Sequence, residues 1–440
     1  MSARIGCGIG RDIVSEASEL LPPRSGRSGA EKARAPQSGA GGRTAEAADD
    51  LSRKVYGVLG IPVDAIDAAD LLELIEAAAD NAAPCLISTP NVNFLVKSQE
   101  NAEFRESMLL SNLCLVDGMP LIWIARLLRI PIFERIAGAD LFARLKSTNS
   151  AIRRLRVFLL GGADGVAAVV GRTLNSQQGG LECAGVLNPG FGTIDDMSSG
   201  EIIDAINASG ADLLAVFFGA EKAQAWLMRN HRRLRVPVRA QFGATINFEA
   251  GTVRRAPSFL RNSGFEWLWR IKEEPYLWRR YWRDGLVLLR LLLTCVVPLS
   301  IALRWSARKH RDLSIFERED LAQVTIALSG SAAERHVDKA ISCFRNALTS
   351  NKHINLDVSN TQSVDPRFFG LFLMARKQLS SRGKELRFTG VTPQMRRTFQ
   401  RNRFEFLLSD RDQSPPVSAP PVAADFIGGY LRLRAFKRPI

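Results

Sequence analysis

Residues 84–89 are Pro84-Cys85-Leu86-Ile87-Ser88-Thr89, a short apolar run that ends in the polar turn Pro90-Asn91. A continuous apolar run of this length, bounded by turn residues, is typical of a strand buried on both faces of a parallel sheet. Four further runs have the same form, at residues 55–60, 113–116, 156–160 and 213–218. Amphipathic helical stretches separate the runs. The alternation therefore predicts an α/β fold with a parallel sheet covered on both faces by helices.

Polar residues and glycines follow the predicted strands at their carboxyl ends, where open α/β sheets bind ligands. These residues are Thr89 and Asn91, Asp117, Gly161 and Gly162, and Gly219. Asp117 could act as a general base that takes a proton from a hydroxyl, or it could cap the following helix. Thr89-Pro90-Asn91 also fits an ordinary turn. Gly161-Gly162-Ala163-Asp164-Gly165 fits a phosphate-binding loop or any tight strand-to-helix turn.

The chain is strongly basic, with a net charge of +14 and an isoelectric point near 9.9 over 440 residues. Such a surplus favours polyanionic partners, which include nucleic acid, anionic lipid and phosphorylated ligands. Residues 254–283 interleave arginines with tryptophans and tyrosines. This pattern suits a membrane interface, and it would also suit single-stranded nucleic acid.

The segment that follows favours the membrane over nucleic acid, which is not an expected partner. Residues 285–303 are almost wholly apolar, with Arg290 as the interruption. A run of about 19 residues is near the length needed to cross a bilayer. An interfacial or re-entrant helix is the first interpretation, a true span the second and a buried core helix the third. Each of the first two predicts contact with an anionic membrane surface.

Changes in composition divide the chain into five parts. Residues 1–52 are rich in Gly, Ser, Ala and Arg and are predicted to be disordered. A core at 53–250, a basic aromatic appendage with the apolar segment at 251–311, a second domain at 312–410 and a Pro/Ala linker with a basic tail at 411–440 follow. The scattered cysteines and histidines have no metal-ligand spacing, which predicts reduced thiols and no bound metal.

Taken in order, seven segments resemble the WecG/TagA family, glycosyltransferase family 26, over residues 55–283. The segments are Thr89-Pro90-Asn91, Asp117-Gly118, residues 134–140, Leu160-Gly161-Gly162, Gly219-Ala220, residues 251–257 and residues 266–281. The resemblance implies a Rossmann-like core of the GT-E type and an inverting, metal-independent transfer without a cofactor. A UDP-sugar would be the donor and an undecaprenyl-diphosphate-linked saccharide the acceptor, in cell-surface or exopolysaccharide biosynthesis.

The resemblance also implies roles for residues. Asp117 would be the general base, Thr89 and Asn91 would line the same pocket, and Arg135 would stabilise the leaving diphosphate. The predicted donor or phosphate contacts are Gly161, Gly162, Gly219, Lys222, Gln224, Asn247, Arg270, Arg279 and Arg280. The enzyme would lie on the cytoplasmic face of the inner membrane, as a peripheral or monotopic protein.

Two positions depart from the family pattern. Ala223 stands where glutamine is usual, and Asn247 where many members have aspartate. These departures motivate an alternative, in which a catalytically weakened transferase-like scaffold recruits partners to the membrane through its second domain.

The second domain has predicted strands at 323–330, 353–358 and 385–390 and helices at 336–348, 369–382 and 393–402. It resembles a STAS domain, through Leu356-Asp357-Val358-Ser359, residues 382–386 and residues 389–393. In phospho-regulated members a hydroxyl residue opens the central helix, but here the run is Asp365-Pro366-Arg367-Phe368. A phosphorylation switch is therefore not expected there. The domain is instead predicted to dock a protein partner or to sense a nucleotide or lipid.

Overall fold

Two sheets and a β-hairpin form the β-structure of this chain, whose computed structural model describes residues 49–132, 134–148, 153–306 and 312–408. The antiparallel hairpin consists of β1 (Val55–Val58) and β2 (Ile61–Asp64). The central sheet has six parallel strands, which are β3 (Cys85–Ser88), β4 (Leu113–Cys114), β5 (Leu155–Gly161), β6 (Leu181–Leu187), β7 (Leu213–Phe217) and β8 (Val238–Gln241). Their order is β4-β3-β8-β7-β5-β6.

Helices connect these strands and cover the central sheet. They are α1 (Ala68–Asp80), α2 (Val92–Glu100), α3 (Ala102–Leu110), α4 (Met119–Leu127), α5 (Gly138–Ser147), α6 (Val166–Ser176), α7 (Gly200–Ala208), α8 (Ala220–Asn230) and α9 (Thr245–Glu249). Neighbouring residues of one strand enter different cores: Leu159 packs with α1, α5 and α6, whereas Leu160 packs with α7 and α8. Both faces of the sheet are therefore buried, as the continuous apolar runs predict.

Four helices follow the central sheet, which are α10 (Ser258–Asn262), α11 (Glu266–Glu273), α12 (Trp278–Leu291) and α13 (Val297–Ser306). A π-helical turn at Leu292–Val296 joins α12 to α13. Pro298 has no N–H to give to the preceding turn, which accounts for the irregular hydrogen bonding there. One side of this long helix packs on a core cluster that also contains residues of α2, α3 and α4.

The second sheet has the order β12-β11-β10-β9. Its strands are β9 (Ser314–Glu319), β10 (Gln323–Ala332), β11 (His353–Val364) and β12 (Leu386–Thr389), and its helices are α14 (Val337–Thr349), α15 (Pro366–Ser381) and α16 (Pro393–Arg401). Strands β10, β11 and β12 are parallel, and β9 is an antiparallel edge. The helix α15 is the most buried of the three and supplies most of the core beneath this sheet.

The structure confirms the predicted α/β class and both sheets, and it adds four strands, which are β2, β6, β8 and β9. Strand β6 escapes the pattern because it is a half-exposed edge that contains Glu182 and Gly185. Strand β8 escapes it because it contains Arg239, whose buried guanidinium donates to the carbonyls of Val236 and Leu234. Strand β9 is an exposed edge. The run at 55–60 needs a different correction, because its first four residues form β1, which pairs with β2 in the separate hairpin and does not join the central sheet. Predictions for residues 1–48 and 409–440 lie outside the described residues.

Candidate active site

The carboxyl ends of β3 and β4 bring Thr89, Asn91 and Asp117 together. The amide of Asp117 donates to the carbonyl of Pro90 at 2.9 Å, which ties the two strand ends to each other. Strand β3 lies between β4 and β8 in the sheet. The chain runs from β3 to β4 on one side, but it reaches β8, on the other side, from β7. Such a reversal of strand order opens a crevice at the carboxyl edge of a parallel sheet.

Asp117 does not cap the following helix. Gly118 occupies the N-cap position of α4 with a φ of 110°, a conformation that favours glycine. Asp117 is partly buried at the strand edge, and none of the described residues donates a hydrogen bond to its carboxylate. Asn91, in contrast, does cap α2, since its Oδ1 accepts from the amide of Phe94 at 3.2 Å. Of the two interpretations of Asp117 in the sequence, the free carboxylate matches the geometry.

The surroundings of Asp117 raise its pKa to about 7. Burial is the largest cause, because a desolvated carboxyl favours its neutral form. The negative charge of Glu266 adds to this effect, whereas the nearby guanidinium of Arg135 opposes it. A carboxylate with a pKa near the working pH is suited to accept a proton from a hydroxyl group.

A cluster of arginines lies beside Asp117, held by two carboxylates. The amide of Ile136 donates to the carbonyl of Val116, which places Arg135 at the exit of β4. One Arg135 nitrogen lies 2.7 Å from Glu266 on α11, and another lies 2.8 Å from Asp140 on α5. The other oxygen of Asp140 contacts two further arginines, Arg255 at 2.6 Å and Arg261 at 3.0 Å.

This cluster lines a cleft of about 560 Å³. Its walls are formed by Met119, Glu134, Arg135, Asp140, Ala143, Arg144, Ser147, Arg255, Arg261 and Asn262. The Nε atoms of Arg255 and Arg261 are buried, and neither has a hydrogen-bond partner among the described residues. Because an unpaired buried donor is costly, the two groups are suited to an anionic ligand in the cleft.

Other predicted contacts lie elsewhere. Gln224 is fully buried, and its Nε2 donates to the Ser88 hydroxyl at 2.6 Å, so it joins α8 to β3 within the core. Ala223 is also fully buried, so this departure from the family lies in the core. Gly219, at the start of α8, is exposed, and Lys222 is partly exposed. None of these residues lines the cleft.

The arginines predicted for phosphate are also outside the cleft lining. Arg270 is engaged with Glu274, at 3.0 Å from its Nε, and it lies over the ring of Phe248. Arg279 and Arg280 are exposed on α12. Each of the two lies over the ring of an adjacent aromatic residue.

The glycine turn after β5 has a packing explanation. Gly161 and Gly162 have φ values of 95° and 92°. A side chain at Gly161 would meet the ring of Phe218 at 2.5 Å, and one at Gly162 would contact Ile246 of α9. The turn therefore lies beside α9, which carries Asn247. The tight-turn interpretation accounts for these two glycines.

Four residues of the cluster were not predicted as site residues, and these are Asp140, Arg255, Arg261 and Glu266. Asp140 comes five residues after Arg135 in the same segment, and that spacing was an available signal. The other three lie in the basic aromatic appendage. Which of its many charges return to the sheet edge depends on the path of α10 and α11, and residue type alone does not reveal that path.

The long appendage helix has an exposed apolar face. Within the described part of the chain, one helix is long and apolar enough to cross a membrane, Pro275–Arg304, with a mean hydropathy of 2.5. Its core side is buried, whereas its other side presents a stripe of apolar residues at spacings of three or four. We call these residues the exposed stripe, and they are Trp278, Trp282, Leu286, Leu289, Leu293, Val297 and Ile301.

Comparison with known proteins yields two family matches and several relatives. Residues 56–302 match the model of the glycosyl transferase WecG/TagA/CpsF family, and residues 315–409 match the model described as "Mlab, STAS domain". A protein of Bacillus spizizenii is 27% identical over 201 residues, which are 46% of this chain and 76% of the relative. It is named N-acetylglucosaminyldiphosphoundecaprenol N-acetyl-beta-D-mannosaminyltransferase. A protein of Bacillus subtilis with the same name is 24% identical over the same shares.

Proposed function

This chain belongs to the WecG/TagA/CpsF family of glycosyl transferases and carries a STAS domain, and from that premise we propose its reaction. It transfers N-acetylmannosamine from a UDP donor to the N-acetylglucosamine of a polyprenyl-diphosphate-linked acceptor. The names of the two Bacillus relatives supply the sugars and the lipid. The observation that carries the proposal is the free carboxylate of Asp117 beside a cleft lined by arginines.

In the proposed reaction, Asp117 takes the proton of the acceptor hydroxyl. The hydroxyl oxygen then forms a bond to the anomeric carbon of the donor sugar. The bond between that carbon and the diphosphate oxygen breaks, and its electron pair leaves with UDP. A single displacement of this kind inverts the anomeric configuration.

Arg135, Arg255 and Arg261 are the proposed partners of the leaving diphosphate. As the bond breaks, negative charge grows on the diphosphate, and preorganised cationic donors stabilise such charge. Asp140 holds all three guanidinium groups in place before the donor arrives. The unpaired Nε groups of Arg255 and Arg261 then have a natural acceptor in the phosphate oxygens.

A screen of UDP-sugars tests the function directly. The purified full chain is incubated with each donor and with N-acetylglucosamine-diphosphoundecaprenol in detergent micelles, and the lipid products are identified from their masses by mass spectrometry. We expect UDP-N-acetylmannosamine to give the disaccharide lipid. Binding of UDP without a lipid-linked product from any donor would support a catalytically inactive scaffold instead.

The pH dependence of transfer is expected to follow the ionisation of Asp117. Because a general base must be deprotonated, kcat/KM rises with pH through about 7. Replacing Glu266 with glutamine removes a negative charge that raises the pKa of Asp117, so the acidic limb of the profile moves to lower pH. The measurement is a pH series of kcat/KM, with Glu273→Gln on the same helix as the control. An unmoved limb in Glu266→Gln would show that Asp117 does not titrate in this profile.

We also propose that the exposed stripe lies in the membrane interface. The opposite side of the helix is committed to the protein core through Leu291, Cys295 and Val296. Because one side of this helix packs on the folded core, lipid cannot surround the helix, so peripheral binding fits better than a span. Arg279 and Arg280 lie near its start, where they can meet lipid phosphates. Such a position brings the cleft to the lipid-linked acceptor.

Replacing Leu293 with aspartate is expected to weaken binding to anionic vesicles. Leu293 is 63% exposed, and losing its burial in lipid costs about 2 kcal/mol, or more than tenfold in affinity. Cosedimentation with vesicles that contain an anionic phospholipid measures the effect. Val169 on α6, which is 43% exposed, gives the matched control Val169→Asp, and its binding should not change. Equal binding by both variants would place the membrane contact elsewhere.

A further inference from the structure

The STAS domain is packed directly on the hairpin that precedes the central sheet. Gly370 of α15 lies against β1 so closely that an added side chain would come within 2.0 Å of the Val55 carbonyl. Arg367, one turn earlier on α15, donates to the same carbonyl at 2.9 Å. Leu51, Val55 and Leu109 belong to the hydrophobic core of the STAS domain itself. This face of α15 is therefore covered by the chain's own β1.

A buried ion network extends from this interface. Lys377 of α15 lies 3.0 Å from Asp50, and Arg53 lies 2.8 Å from Asp50 and 2.8 Å from Asp64. Two positive groups thus face two negative groups, and all four side chains are at most 15% exposed. Charges buried this deeply are stable only when they are paired, and removing one leaves the charge of its partner uncompensated.

The network ends on the two strands that carry the candidate active site. Asp64 accepts a hydrogen bond at 2.7 Å from the amide of Cys114, the last residue of β4 and three residues before Asp117. Lys377 donates to the carbonyl of Ser111 at 3.1 Å. The hydroxyl of Ser111 lies 2.7 Å from that of Ser88, the last residue of β3 and the neighbour of Thr89.

We propose that the STAS domain acts within its own chain as a positioning partner of the transferase. Lys377 of the STAS domain and Arg53, which precedes β1, together fix the end of β4 and thereby Asp117. Lys377 and Arg53 are positioning residues, since they act through Asp64 and Ser111. The catalytic part of this inference rests on the proposed function of Asp117. The structural part, the coupling of α15 to β4, does not.

The test compares Lys377→Met with its neighbour Arg376→Met in the full chain. Arg376 pairs with Glu106 at 2.9 Å in the same interface, and among the described residues no hydrogen bond or ion pair joins either of them to β4. In Lys377→Met we expect kcat to fall about tenfold, because a displaced base loses its alignment, with the KM for the UDP-sugar unchanged. Arg376→Met should keep both constants. Lys377→Arg, which retains the cation, should recover part of kcat.

Hydrogen exchange followed by mass spectrometry gives a readout that does not need activity. In Lys377→Met, the amides of residues 111–118 should exchange about fivefold faster, because the hydrogen bonds that hold them are weakened. A peptide that covers β5 serves as the reference and should not change. If Lys377→Met does not fold, Lys377→Arg is measured in its place, and a smaller increase in the same peptide is expected.

The outcomes separate the two proposals. A folded Lys377→Met with wild-type exchange at 111–118 overturns the inference, and so does an equal acceleration of all peptides, which would mean a role in overall stability alone. An equal loss of kcat in Arg376→Met would also overturn it. A wild-type chain that transfers no sugar refutes the proposed function, while the exchange experiment still decides whether α15 controls β4.

Discussion

Replacing Asp117 with asparagine is expected to abolish sugar transfer almost completely while the protein stays folded. General bases contribute about 10²–10⁴-fold to a rate, and we expect a loss of about 10³-fold in kcat. Asparagine has nearly the same shape, and the Asp117 carboxylate holds no hydrogen bond with the described residues that the change would break. Desolvation already raises its pKa, so losing the charge there carries no folding cost.

The measurement is the initial rate of disaccharide-lipid formation at saturating donor and acceptor. Binding of UDP, followed by calorimetry, should stay within about threefold of the wild type, because in the proposed mechanism UDP contacts the arginines and not the base. Asp195, an exposed carboxylate paired with Arg229, gives the control Asp195→Asn, which should transfer sugar at the normal rate. A kcat within a few fold of the wild type in Asp117→Asn would remove Asp117 from the reaction.

The sequence predicts the position of Asp117 at a strand end because the signal for that position is local. An apolar run followed by Asp-Gly predicts a strand end with a polar residue at the binding edge, and the structure confirms the strand and the edge. It also shows Gly118, with its φ of 110°, as the residue that starts the helix. Glycine in that position leaves the neighbouring carboxylate free, and such a backbone conformation is not evident from residue types.

Long-range pairs escaped prediction for a related reason. Arg135 and Glu266 are 131 residues apart, and Lys377 and Asp50 are 327 apart. Periodicity and turn chemistry describe neighbours in the chain, so they cannot choose among dozens of charges for each partner. Gln224 shows the converse difficulty, because in the sequence a polar residue in a helix after a strand end fits a ligand contact as well as a core contact. Its burial against Ser88 depends on which side of α8 packs on the sheet.

The second large effect is expected in Arg135→Met, with a loss of about 10²–10³-fold in kcat, the range found when one preorganised donor to a developing anion is removed. Methionine keeps the length and apolar contacts of the side chain but not its charge. Arg255 and Arg261 remain on Asp140, so the donor should still bind, and most of the loss should appear in kcat rather than in KM.

The pH profile of Arg135→Met should also shift in a defined direction, which a folding defect would not produce. The Arg135 charge lowers the pKa of Asp117 against the effect of burial. Without it the pKa rises, so the acidic limb of the remaining activity moves to higher pH, opposite to the shift expected in Glu266→Gln.

Arg229→Met, at an exposed arginine on α8, should change neither rate nor profile. A full rate in Arg135→Met, or a limb that moves toward lower pH, would contradict the role of Arg135 beside Asp117. Opposite shifts in the two variants would show that Arg135 and Glu266, an arginine of the core and a glutamate of the appendage, jointly set the ionisation of one base.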